Sequence, residues 1–165
     1  MEQTKRLTIC AMMAAVSVVL MLLGAVLQLG TYAAPLLTGM ILIPIGNRYG
    51  RKYQVMLWLV ISVLCLMLIP AAEQNMMFAG LFGWYPIAYP TLQRLPRFLR
   101  ITVKLLLFNG AVIAMETALI WLIAPEAMTM SMVFLLLSLG NVTFVLYDHL
   151  IPKTELILQR IMNRK

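Results

Sequence analysis

Two polar side chains, Asn109 and Glu116, stand inside the run from Arg100 to Ile123, whose sequence from position 101 is ITVKLLLFNGAVIAMETALIWLI. The run is long enough to cross a bilayer as a helix, for which about 20 apolar residues suffice. The two residues are seven apart, two helical turns, so they project from nearly one face about 10 Å apart along the axis. Lys104 precedes Glu116 by twelve residues, about 18 Å on a different face, and cannot neutralise that carboxylate within the helix. A carboxylate at such depth costs several kcal/mol unless it faces a cavity, meets a partner or keeps its proton. The default reading of an ionisable residue there is a functional one, the binding of a small molecule or an ion. The plainer reading is a protonated packing residue hydrogen-bonded across helices.

The other polar groups in apolar surroundings are Asn141, which follows Gly140, Trp84 within FGWYPIAYP, and Gln28. A few polar groups in a mostly apolar setting is how small-molecule sites are built. Bond-making chemistry finds no support. There is no GxxxxGK followed by Ser or Thr, no HExxH, no CxxC and no GxSxG, so neither a phosphate loop nor a hydrolytic motif is present. One His and six acids do not easily supply a catalytic constellation, so the expectation is a non-enzyme without metal or cofactor. His149 reads as interfacial. Cys10 and Cys65 fall at different depths of different segments and read as small apolar residues, not as a disulfide.

The elements that must position these groups follow from composition and charge. Of 165 residues, 62% are hydrophobic and 12% charged, and mean hydropathy is +0.92. A water-soluble domain is near half apolar and a quarter charged. The chain therefore reads as an all-α integral membrane protein. Its net charge of +7 does not indicate nucleic acid, because all 13 Lys and Arg fall in four clusters: Lys5/Arg6, Arg48/Arg51/Lys52, Arg94/Arg97/Arg100/Lys104 and Lys153/Arg160/Arg164/Lys165. Two apolar segments fill each interval, the positive-inside pattern of helical hairpins. The prediction is a six-transmembrane helix bundle forming a single domain over 1–165, multi-pass in the plasma membrane, with N- and C-termini cytoplasmic. Its spans are about 7–29, 32–45, 53–69, 76–92, 100–123 and 131–151.

Along the chain, the first span carries two stripes of mostly small residues. One is Thr8, Ala11, Ala15, Val18, Leu22, Ala25; the other is Cys10, Ala14, Ser17, Met21, Gly24. Small residues at four-residue spacing let helices approach closely, so one stripe suits an internal partner and the other an external one. The second span is short and holds Pro35 and Pro44, which makes a re-entrant segment conceivable, but the charge rule favours a crossing. The third ends at Pro70. The fourth has Pro86 and Pro90 beside its aromatics; Tyr85 and Tyr89 suit an interface belt, and Trp84 suits either a cavity wall or that belt. Glu73 and Glu126 fall in outer loops, and Pro152 to Lys165 reads as a short basic surface helix.

In size and architecture the chain resembles the substrate-binding subunit, the S component, of energy-coupling-factor (ECF) vitamin transporters. The opening TKRLTICAMMAAVSVVL is similar to the start of that family, in which an Ala-x-x-x-Ala near the cytoplasmic end of the first helix docks on a coupling subunit; Ala11 and Ala15 match it. The resemblance implies a small-molecule substrate, a vitamin or related micronutrient, and as partners an ECF transmembrane coupling subunit with its ATPases. It implies capture near the outer side by the first outer loop and helices four to six, where Trp84, Glu116 and Asn141 fall; Asn109 joins them as a substrate-binding candidate through the helix face it shares with Glu116. Two other classes stay open: a membrane scaffold of the MreD cell-shape type, and an ion-coupled carrier using Glu116.

Overall fold

The computed structural model describes residues 2–27, 32–123 and 130–162. Among these the chain forms seven α-helices and one π-helical turn, with no strand. They are α1 (Glu2–Leu27), α2 (Ala33–Tyr49), α3 (Arg51–Leu68), α4 (Ala72–Met77), the π turn (Phe78–Phe82), α5 (Tyr85–Leu92), α6 (Arg97–Ile123) and α7 (Met130–Met162). Three stretches are long and apolar enough to cross a membrane: Gln3–Leu27, Arg51–Leu68 and Arg97–Met115. Their outer faces are apolar too, with Val26, Met67, Phe98 and Leu106 between 68% and 84% exposed. An exterior of this kind suits hydrocarbon, not water.

The short helix α2 is the centre of the bundle. It packs against α1 and α3 on one side and against the π turn, α5 and α7 on the other. Accordingly Leu42 and Ile45 belong to one core, with Ala14, Met21, Leu57, Ile61 and Cys65, whereas Ile43 belongs to a second, with Phe82, Tyr85, Phe108, Phe144 and Tyr147. Burial on both sides explains why a helix of 17 residues holds this place. At about 1.5 Å per residue it spans roughly 25 Å, and its buried residues run from Ala34 to Ile45.

Several boundaries differ from the sequence reading. Pro44 does not end α2, which runs on to Tyr49; one proline removes only the bond to the Met40 carbonyl, and packing on both sides retains the helix. Gly50, at φ 93°, then reverses the chain in a single residue into α3, a backbone region that L side chains rarely adopt. Pro70 does stop α3. Its end carbonyls are capped by Asn75, whose Nδ2 donates to Cys65 O at 3.0 Å and Ile69 O at 2.8 Å. Glu73 consequently sits in the first turn of α4 rather than in a loop. The expected separate surface helix after Pro152 is instead a continuation of α7 to Met162. The connection between the expected fourth and fifth spans, 92 to 100, is shorter than those bounds imply, because α6 begins at Arg97.

Candidate functional site

Helices α6 and α7 run antiparallel in one register: Lys104 faces Asp148, Phe108 stacks on Phe144 with centroids 4.5 Å apart, and Asn109 faces Asn141. At the basic end, Lys104 Nζ lies 2.5 Å from Asp148 Oδ1, and Tyr85 OH donates to the same oxygen at 2.5 Å. The ammonium also lies 4.6 Å from the centre of the Tyr89 ring. Lys104 is only 5% exposed, so its charge is balanced by a carboxylate and a ring face instead of by water. One neutral cluster thus joins α5, α6 and α7.

Further along the same pair of helices, two amides clasp each other. Asn109 Nδ2 donates to Asn141 Oδ1 at 3.1 Å, and Asn141 Nδ2 returns a bond to Asn109 Oδ1 at 2.9 Å. Each amide also donates to a carbonyl four residues back in its own helix, Leu105 O at 2.9 Å and Leu137 O at 2.7 Å. All the amide N–H groups are therefore engaged. A polar ligand at this level would have to open the clasp and replace its bonds.

The π turn packs against α2 and α6. Pro86 has no N–H to give the Phe82 carbonyl, although Gly83 and Trp84 keep helical dihedrals. Tyr147 OH supplies the missing bond at 3.0 Å. Trp58 Nε1 donates to Ala79 O at 3.3 Å, and the Trp84 indole donates to Gly80 O. Three aromatic side chains thus cap carbonyls that the irregular backbone leaves open, satisfying the requirement that buried backbone groups be paired.

Of the residues expected to form a site, Asn109 and Asn141 are brought together. Trp84 is half-buried, with its N–H held by its own turn and its ring edge-on to Tyr85 at 6.5 Å. Glu116 lies on α6 two turns beyond Asn109, and its side chain is outside the described residues. Gln28 and Glu126 also lie outside them. On α1 the two small stripes divide: Ala14, Ser17 and Met21 are buried, whereas Ala11 and Ala15 are exposed. An apolar groove of about 180 Å³, lined by Leu7, Cys10, Ala11, Ala14, Tyr53 and Met56 among others, runs between α1 and α3 beside that exposed strip. His149 is exposed, as expected of an interfacial residue. At the far end of the bundle, burial raises the Glu73 carboxyl above its ordinary range.

The sequence reading missed Lys104, Asp148, Tyr85 and Tyr147 as a connected group. Lys104 read as one more topology-setting base and Asp148 as part of an inner helix end. Their signal was that each sits one turn inside an apolar run, at the same depth on consecutive spans. Compared with known proteins, the chain matches no family model, no curated protein and no solved structure.

Proposed function

We propose that the chain crosses the bacterial cell membrane six times, with both termini cytoplasmic. In this reading it serves as the small-molecule-binding subunit of an ECF-type importer and docks on a coupling subunit through α1. The observation that carries the reading is the division of α1: one small-residue face is buried within the bundle, and Ala11 and Ala15 remain on the other, beside an apolar groove. Exposed small residues let a second membrane helix approach closely, and the groove can receive its larger side chains. A bundle without a phosphate loop must take energy for uphill uptake from a partner or an ion gradient. The substrate, a vitamin or related micronutrient, would enter at the Asn109–Asn141 clasp, with Glu116 two turns beyond and Trp84 on the neighbouring wall.

The test replaces the strip. Ala11→Trp with Ala15→Trp is expected to leave a folded protein that keeps any co-purifying small molecule while losing co-purification with coupling subunits and losing uptake. Misfolding or loss of the small molecule would instead assign the strip to internal packing. One observation favours the scaffold class: every amide N–H of the clasp is already engaged. A scaffold of the MreD type would retain its membrane partner through the same strip, but mass spectrometry of the purified protein would show no bound metabolite.

A further inference from the structure

At the basic end of the bundle, the ends of α2, α3 and α5 border an open cavity of about 280 Å³. Its polar lining consists of Asn47, Arg51, Gln54, Thr91 and Arg94, and its apolar walls include Ile87 and Pro90; no carboxylate lines it. Among the described residues no ion pair or side-chain hydrogen bond engages Arg51, Arg94 or Gln54. Gln54 is nevertheless only 7% exposed, its amide lying against Gly46, where any side chain would overlap it. Its amide atoms still open onto the cavity, where an occupant can bond to them. The start of α3 adds further donors: its cap is Gly50, which offers no side chain, so the N–H groups of the first turn have no partner within the helix. That end also carries the positive pole of the helix dipole.

The geometry points to this cavity as a binding site for a phosphate-bearing anion, held by Arg51 and Arg94 with Gln54 in the interior. The two guanidinium groups match the charge and forked geometry of a phosphate. Asn47 and Thr91 offer hydrogen bonds to hydroxyls near it, and the apolar walls suit its carbon skeleton. The volume is at the small end for ligand sites, which favours a phosphate with a few attached atoms over a nucleotide. The same chemistry is presented by a small soluble phosphate and by the headgroup of an anionic phospholipid, which basic pockets between membrane helices do take. The inference is independent of the docking strip on α1.

The experiment uses the full chain. In one arm, protein stripped of lipid in neutral detergent receives phosphatidylglycerol or phosphatidylcholine, and retention is read by native mass spectrometry. In the other, inorganic phosphate is titrated calorimetrically into protein held in phosphatidylcholine nanodiscs. Binding in the first arm with preference for phosphatidylglycerol identifies a lipid headgroup, and binding in the second identifies a soluble phosphate. In either case Arg51→Gln and Arg94→Gln are each expected to weaken binding about tenfold, the scale of one hydrogen bond to a charged group. Arg97→Gln, exposed at the same end but outside the lining, should change it by less than about twofold, since a surface charge contributes little. Both arginines are exposed, so their loss leaves the core intact; helicity and melting temperature check this. No binding in either arm overturns the site. So does an Arg97→Gln effect as large as the other two, which would mean diffuse surface charge alone.

Discussion

Lys104 is the more deeply buried partner of its ion pair, with side-chain exposure of 7% against 31% for Asp148. That asymmetry decides which single substitution is worse. Asp148→Asn keeps a neutral acceptor oxygen for Tyr85 and Lys104 but removes the countercharge, leaving an ammonium in an apolar interior beside the Tyr89 ring. Breaking a buried pair by removing one member costs about 3–5 kcal/mol. Lys104→Met leaves a carboxylate that is partly hydrated and still bonded to Tyr85, so its cost should be smaller. The double variant Lys104→Met/Asp148→Asn removes both charges and should recover most of the loss. Thermal unfolding in detergent micelles checks the order. Additive costs in the double variant would show that the two charges do not stabilise each other. The pair was not legible in the sequence because its members are 44 residues apart, and only the register of α6 on α7 aligns them. Asn109 and Asn141 were legible as polar groups in an apolar setting. That each would satisfy the other was not, for the same reason.

The segment from Ala72 to Leu92 shows how an irregular element is held. Pro86 and Pro90 each remove a backbone donor from it, whereas the location of the compensating donors was beyond the sequence. Tyr147 comes from α7 and Trp58 from α3, 65 and 21 residues away from the carbonyls they cap. Gly39 of α2 allows a close approach, because a methyl group there would overlap both the Phe82 carbonyl and the Tyr147 hydroxyl. If Pro86 is what frees the Phe82 carbonyl, then the value of the Tyr147 hydroxyl depends on it. Tyr147→Phe should cost about 1–3 kcal/mol in the natural background, the penalty for a buried acceptor left unpaired. With Pro86→Ala in place, residue 86 regains an N–H that can bond to Phe82, and the same Tyr147→Phe change should cost less than half as much. Equal costs in both backgrounds would mean that the value of the Tyr147 hydroxyl does not depend on the donor Pro86 lacks, since the ring and its packing on Phe82, 5.2 Å between centroids, are the same in Tyr and Phe.

At the scale of the molecule, membrane character and helix order were legible because they rest on summed hydropathy and spacing of charge. The central place of α2 was not, since its length and two prolines made it the weakest candidate to cross, whereas its position depends on which neighbours cover both of its sides. The described helices bring Arg48, Arg51, Arg94 and Arg97 to the ends where α2, α3, α5 and α6 start or stop, while Glu73 begins α4 at the opposite end of α3. The proposed six crossings would put these basic ends inside, as the positive-inside rule requires. The expectation is tested by single cysteines introduced into a variant carrying Cys10→Ala and Cys65→Ala. Cys65 is fully buried, so its replacement by a smaller residue creates at most a small cavity. A cysteine at position 126 should react in intact cells with a membrane-impermeant maleimide. One at position 73, half-buried in the first turn of α4, should react more slowly. Cysteines at positions 51 and 97 should react only after the membrane is permeabilised. Labelling of position 51 in intact cells would mean that α2 re-enters without crossing. It would also place Arg51 and the cavity beside it on the outer face, away from the anionic inner leaflet.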